Sequence, residues 1–190
     1  MVWTAAILFF NALLLLCCGL VFLHTVEPEL TFFFSRSLFL SFSLSLFPIY
    51  IRFDLYPFYR DDEEFAHWFL PRDNVVNTYV LEGENGEITD MLSYYYLNSS
   101  IINNPDYKTL CAVYSFYNVA NTVDMVELMN NSLILAKKNG ADVFNCLELM
   151  ENQKVFTKLK FGPGDGRLQY YLYNWRAPHI ECPKVGLVLL

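Results

Sequence analysis

Twenty-two consecutive residues near the start of the chain, Val2 to Leu23, carry no charge. A run of that length can cross a bilayer as a helix, which takes about 20 apolar residues. No basic residue follows Met1 and no clear small-residue cleavage site follows the run, so it does not read as a signal peptide. A second apolar run, residues 37–51, is shorter and is broken by Pro48. Serines alternate through its LFLSFSLSLF, a strand-like or low-complexity pattern too short to make a second span. Across residues 1–60 the only charged side chains are Glu27, Glu29, Arg36, Arg52, Asp54 and Arg60. Near Tyr59–Asp62 the composition changes abruptly to that of a mixed globular domain. Two readings of the first sixty residues stand side by side: a membrane anchor through residues 2–23, or an artefact, translated non-coding sequence or a wrong gene model joined to a genuine exon. Either way the expected division is a hydrophobic segment over 1–60 and a folded unit over 62–190.

At 190 residues the chain can build one domain with a real core. Its formal net charge of −7 argues against nucleic acid as a partner, because phosphate binding needs basic patches. An acidic surface suits basic peptides, or serves solubility alone. The five cysteines, Cys17, Cys18, Cys111, Cys146 and Cys182, contain no CxxC pair, and His24, His67 and His179 stand in no ligand spacing. Free thiols and no metal site are expected.

The residues from 61 onward punctuate clearly. DDEEFAHWFL (61–70) reads as a helix capped by Asp61 or Asp62, with acids in its first turn and Pro71 after its end. Residues 75–83 and 87–97 read as two strands joined through Asn85–Gly86, both of which tolerate positive φ. Residues 109–119 form a third strand. Residues 122–139 place Val123, Val126, Met129, Leu133 and Ala136 at helical spacing, with Lys137 and Lys138 in the last turn and Gly140 as the stop. VFNCL (143–147) reads as a short buried strand, ENQKVFTKLKF (151–161) as a helix, and RLQYYLYNW (167–175) and KVGLVLL (184–190) as closing strands. The order β-β-β-α-β-α-β-β implies an α+β fold with helices over a mostly antiparallel sheet.

Read alone, VGLVLL is a C-terminal core strand and GPGDG (162–166) a tight turn. GPGDG is no Walker loop, since no Lys-Ser/Thr pair follows it. No Ser-His-Asp or Cys-His set supports covalent catalysis. Taken together, however, KFGPGDG (160–166), LQYYLYNW (168–175) and KVGLVLL (184–190), with EEFAHWFLPRDNV (63–75), AVYSFYNV (112–119) and ADVFNCLELMEN (141–152), resemble the C-terminal half of the protein N-myristoyltransferase (glycylpeptide N-tetradecanoyltransferase) family. The resemblance runs over about 62–190.

The resemblance implies an incomplete second half of a two-half protein. Each half is akin to the GCN5-related acetyltransferase (acyl-CoA N-acyltransferase) fold, and here the opening strand and helix are missing, which leaves a sheet edge or face uncovered. It implies transfer of myristate from myristoyl-CoA, a co-substrate and not a bound cofactor, to the N-terminal glycine of a protein. It makes the α-carboxylate of Leu190 the base that takes the proton of the glycine amine. It places Asp165, Gly166 and Leu168 beside the substrate peptide, and makes Ser99, Tyr114, Asn145 and Tyr173 further peptide-groove residues. Acyl-CoA binding and the oxyanion hole fall to the family's other half, so this chain alone is expected to be inactive. The alternatives are a non-catalytic module that binds glycine peptides and a non-functional truncated product. A cytoplasmic monomer is expected, or a membrane-associated one where residues 2–23 act as an anchor.

Overall fold

The computed structural model describes the backbone of Val2–Leu8 and residues 53–189, with the side chains of the second stretch except that of Asp165. Residues 9–23 of the apolar run, the second run at 37–51, and Leu190 lie outside the described residues.

One mixed sheet of six strands organises the molecule, in the order β2-β3-β6-β7-β1-β8. Its strands are β1 (Val2–Leu8), β2 (Val76–Glu82), β3 (Ile88–Tyr96), β6 (Ala112–Ser115), β7 (Val143–Leu147) and β8 (Gly162–Leu168). A two-residue pair, β4 (Ser99–Ser100) with β5 (Thr109–Leu110), extends the β3–β6 ladder. Among the described residues the α-helices are α1 (Asp62–Phe69), α2 (Met125–Lys138) and the single turn α3 (Gln153–Phe156). The pairing is antiparallel throughout except between β6 and β7, which run parallel because α2 carries the chain across between them.

The local signals act as chemistry requires. Asp61 caps α1 by accepting from the Glu64 N–H at 2.8 Å. In the β2–β3 hairpin Gly86 alone takes positive φ, 78°, while the Gly86 N–H donates to the Gly83 carbonyl at 3.0 Å; Asn85 needs no such freedom. Helix α2 starts three residues later than the periodicity predicts. Asp124 is its cap, and Thr122 is drawn instead to Asp90. The buried Asp90 carboxylate accepts from the N–H groups of Asn121, Thr122 and Val123 at 2.7, 2.9 and 3.2 Å, and from the Thr122 hydroxyl. Burial alone would raise its pKa, but the bonds from Thr122, Thr89 and Val123 outweigh that and hold it below the usual carboxylate range.

The part of the sheet formed by β2, β3, β6 and β7 is covered on both faces. On one, α2 buries Leu128, Met129, Leu133 and Ala136 against Leu92, Tyr94, Val113, Phe144 and Cys146. On the other, α1 buries Phe65 and Phe69 against Phe116 and Tyr117, and Phe53, Val185 and Val188 join the same cluster. Phe69 stacks on Phe116 at 5.3 Å, and Tyr59 meets Phe65 edge-on at 5.3 Å.

Four expectations from the sequence change here. First, the folded unit starts before Asp62. The Asp54 N–H donates to the Lys184 carbonyl at 2.9 Å, Leu55 bridges Val185 in parallel, and Phe53 is 6% exposed. A stretch that looks like the end of an apolar tail is thus a wall of the core. Second, GPGDG is not a turn. It opens strand β8, and the positive-φ glycines among the described residues are Gly86 and Gly140. Third, RLQYYLYNW and KVGLVLL do not close the sheet as strands. Only Arg167 and Leu168 of the first lie in β8, residues 169–181 form no regular element, and β1 fills the place between β7 and β8. Fourth, the helix over 151–161 shrinks to α3, followed by Lys160 at φ 57°. The first seven residues of the uncharged run are extended as β1, and no helix among the described residues is long and apolar enough to cross a membrane.

Candidate functional site

Register places one row of residues straight across the sheet. Val76 stands opposite Tyr95, Tyr95 opposite Tyr114, Tyr114 beside Asn145, Asn145 opposite Ala6, and Ala6 opposite Gly162. Tyr95 and Tyr114 lie on the face that α1 and the C-terminal segment cover, their rings stacked at 5.4 Å and 19°. Two of the residues singled out from the sequence, Tyr114 and Asn145, are therefore neighbours.

The C-terminal segment is fastened beside this row by two phenols. The Val188 N–H donates to the Tyr117 hydroxyl at 3.0 Å, and the Leu189 N–H donates to the Tyr170 hydroxyl at 3.4 Å. Upstream, the Gly186 N–H donates to the Leu55 carbonyl at 2.7 Å and the Met150 N–H to the Val185 carbonyl at 3.1 Å. Tyr117 is itself held by Ser93, whose hydroxyl donates to the Tyr117 carbonyl at 2.7 Å and accepts from the Tyr117 N–H at 2.9 Å. Tyr59 adds a hydroxyl bond to Tyr117 from the side of α1. Thus the chain end is located by β3, by the segment after β6, and by residues 53–59 together.

The phenols are neutral. Burial first, then the nearness of Tyr114 and Tyr170, pushes Tyr95 up to about 12. Burial pushes Tyr117 up to about 12 although the Val188 N–H bond works the other way. Tyr59 is raised by burial and by Tyr117, and Tyr170 by burial against the Leu189 N–H bond. Near pH 7 Tyr59, Tyr95, Tyr117 and Tyr170 stay protonated, and the wall offers hydroxyl and amide hydrogen bonds, the means by which a peptide backbone is held.

The other residues singled out from the sequence are more scattered. Asp165, Gly166 and Leu168 lie on β8 but off the row: Gly162 is the β8 residue across from Asn145, and Leu168 stands opposite Val2, four residues along β1 from Ala6, and is 41% exposed. Ser99 is exposed on β4, four residues along from Tyr95, about 13 Å at strand spacing. Tyr173 is 92% exposed and makes no part of the row. Leu190 follows directly on the fastened Leu189 and lies outside the described residues. Sequence reasoning missed Tyr95, Tyr117 and Tyr170. Period two along YYY (94–96) separates Tyr95 from its neighbours, but no pattern says which face meets the chain end. Among the described residues no group of three or more His, Cys, Asp or Glu is placed to hold a metal ion.

Comparison with known proteins matches residues 44–186 to the family model of the myristoyl-CoA:protein N-myristoyltransferase C-terminal domain. Glycylpeptide N-tetradecanoyltransferase 2 of Bos taurus is 54% identical over 129 residues, 68% of this chain and 26% of that protein. Glycylpeptide N-tetradecanoyltransferase of Drosophila melanogaster is 49% identical over 139 residues, 73% of this chain and 29% of that protein. Among solved structures, Saccharomyces cerevisiae N-myristoyltransferase with bound myristoyl-CoA superposes with a TM-score of 0.73 at 31% identity, covering 83% of this chain and 43% of that one. The chain spans about a quarter of the length of the curated relatives it matches.

Proposed function

The chain belongs to the myristoyl-CoA:protein N-myristoyltransferase family, a family of acyltransferases, and from that premise we propose that it supplies the peptide-holding part of myristoyl transfer to N-terminal glycine. The observation that carries this reading is the fastening of residues 188 and 189 by Tyr117 and Tyr170 beside the row of Tyr95, Tyr114 and Asn145. Neutral phenols and an amide there bind and orient an extended peptide, with Asp165, Gly166 and Leu168 bordering it and Ser99 further along. The glycine amine is an ammonium near pH 7 and must lose a proton before it attacks a thioester. A free α-carboxylate has a pKa of about 3.5 against about 8 for the amine, and burial brings the two values together. The Leu190 carboxylate, one residue beyond Leu189, is assigned that proton. In the transfer the amine nitrogen bonds to the thioester carbon, the carbon–sulfur bond breaks, and CoA leaves as the thiol. Myristoyl-CoA binding and the oxyanion contacts are assigned to the family's other half, and this sheet is assigned as one of two acetyltransferase-like halves.

The experiment is fluorescence anisotropy of the full chain with an N-terminal-glycine peptide and with its N-acetylated form, beside an assay of myristoyl-CoA consumption. Tighter binding of the free amine without turnover is expected. Turnover within about tenfold of a full-length relative overturns the division of labour, and absence of binding to either peptide overturns the peptide role. A second reading is a module that holds glycine peptides without acylating them. In that case appending one Gly after Leu190 leaves binding unchanged.

A further inference from the structure

The face of the sheet opposite the tyrosine row carries a second polar cluster. Tyr95 packs on the α1 face, whereas Tyr79, Tyr94 and Tyr96 pack on the α2 face. Asn77 on β2 donates through Nδ2 to the Tyr96 hydroxyl at 2.9 Å and to the Tyr94 hydroxyl at 3.4 Å. Asn139, the residue that ends α2, donates through Nδ2 to the Tyr79 hydroxyl at 2.6 Å and to the Tyr94 hydroxyl at 2.8 Å. The Tyr79 and Tyr94 hydroxyls share a further bond at 3.4 Å. Side chains from β2, β3 and the end of α2 thus form one network, which fixes the planes of both amides.

A cavity of about 600 Å³ opens against this network, a size that suits a small molecule. Its wall takes in Asn77, Tyr79, Tyr96 and Asn139, with Asp73 and Asn74 from the loop before β2. That loop is closed by its own backbone: the Arg72 N–H donates to the Val76 carbonyl at 2.9 Å, and the Val76 N–H to the Arg72 carbonyl at 3.1 Å. It holds Asn74 at φ 58°, a left-handed conformation that asparagine tolerates. The network decides what the wall can offer. Each Nδ2 has its protons committed to phenols, so the Oδ1 atoms of Asn77 and Asn139 remain for a ligand, and both are acceptors. Asp73 adds a carboxylate. Among the described residues no Lys, Arg or His lines the cavity. Arg72 is committed to the His67 carbonyl at 2.9 Å, and Lys137 and Lys138 are exposed outside the lining. The C-terminal end of α2 also favours positive charge. A cation with many N–H donors therefore fits and an anion does not. Between an ammonium and a guanidinium, the flat guanidinium fork pairs with a carboxylate through two bonds and stacks on aromatic rings.

We propose that this cavity binds a guanidinium group, with the Asp73 carboxylate and the Oδ1 atoms of Asn77 and Asn139 as its acceptors and Tyr79 and Tyr96 as its aromatic walls. The site stands on the other face of the sheet from the tyrosine row and is independent of the peptide-holding role.

The experiment is a titration of the isotope-labelled full chain with n-butylguanidinium, followed by NMR through the side-chain amide signals of Asn77 and Asn139. Both signals are expected to move and to saturate. Two controls separate charge from donors: n-butylurea keeps the shape without the charge, and tetramethylammonium keeps the charge without the donors. Each is expected to bind about tenfold or more weakly than n-butylguanidinium. Asp73→Asn, at an exposed loop position, is expected to weaken n-butylguanidinium about tenfold and to leave the unfolding midpoint unchanged. N-acetylarginine methylamide distinguishes the sources of the group. Tighter binding than n-butylguanidinium places it on a peptide side chain, the reverse order places it on a free small molecule, and both uphold the site. Either control binding as tightly as n-butylguanidinium overturns the guanidinium assignment, as does undiminished binding by Asp73→Asn. Shifts that do not saturate, or that miss both asparagines, overturn the site.

Discussion

Replacing Gly186 with alanine probes the joint that locates the chain end. A Cβ built on Gly186 lies 2.5 Å from Cδ2, 2.6 Å from Cγ and 2.9 Å from Cβ of Phe53. Ordinary carbon contacts sit at about 3.5–4.0 Å, so the overlap is about 1 Å. Phe53 is 6% exposed, and the clash falls on the root of the ring and not on a flexible tip. Backbone strain does not enter, because Gly186 is not among the positive-φ glycines. The cost is therefore that of overpacking a filled core, about 1–3 kcal/mol. For a folded unit of this size each kcal/mol lowers Tm by about 3–5 °C. Gly186→Ala is expected to lose about 2 kcal/mol and about 6–10 °C by thermal and urea unfolding of the full chain. Phe53→Leu vacates the contested space and alone costs about 1 kcal/mol. In the double variant the two losses should fall short of their sum by at least about 1 kcal/mol. Strict additivity, or a Gly186→Ala chain with unchanged Tm, would refute the packing of residues 53–55 on the C-terminal segment.

Tyr117→Phe removes the hydroxyl that accepts from the Val188 N–H, and is expected to cost about 1–2 kcal/mol in urea unfolding and to speed amide exchange at Val188. Asp90 has a folded pKa below its unfolded value of about 3.9, so its contribution is complete above that value and is lost as pH falls through the folded one. Asp90→Asn should cost about 1.5–3 kcal/mol at pH 7 and flatten the acid limb of Tm against pH; an acid limb identical to that of the unaltered chain counts against the assignment. Burial pushes the Cys146 thiol up to about 12, partly offset by a bond with Ser115. At pH 8 a maleimide should therefore label the half-exposed Cys182 in the folded chain and reach Cys146 only as fast as the chain unfolds; early labelling at Cys146 opposes its burial.

Local chemistry was legible in the sequence. The Asp61 cap, the Gly86 turn, the α2 stripe ending at Gly140 and the family motifs all state themselves within a few residues, because capping, positive φ and helical periodicity are short-range properties. The resemblance names Tyr114 and Asn145 as peptide-groove residues without relating them, and only the register sets the two side by side. What the sequence left open needed contacts far apart along the chain. Phe53 and Leu55 look like the end of an apolar tail until Gly186 and Val185 pack on them. GPGDG looks like a turn until β1 pairs with it, and Tyr117 and Tyr170 look like ordinary core tyrosines until the N–H groups of Val188 and Leu189 reach their hydroxyls. A strand side by itself does not announce its partner, and a hydroxyl does not announce its donor. Both are settled only when the sheet closes and the C-terminal segment folds back on it, which brings Val188 within hydrogen-bonding distance of Tyr117, 71 positions away.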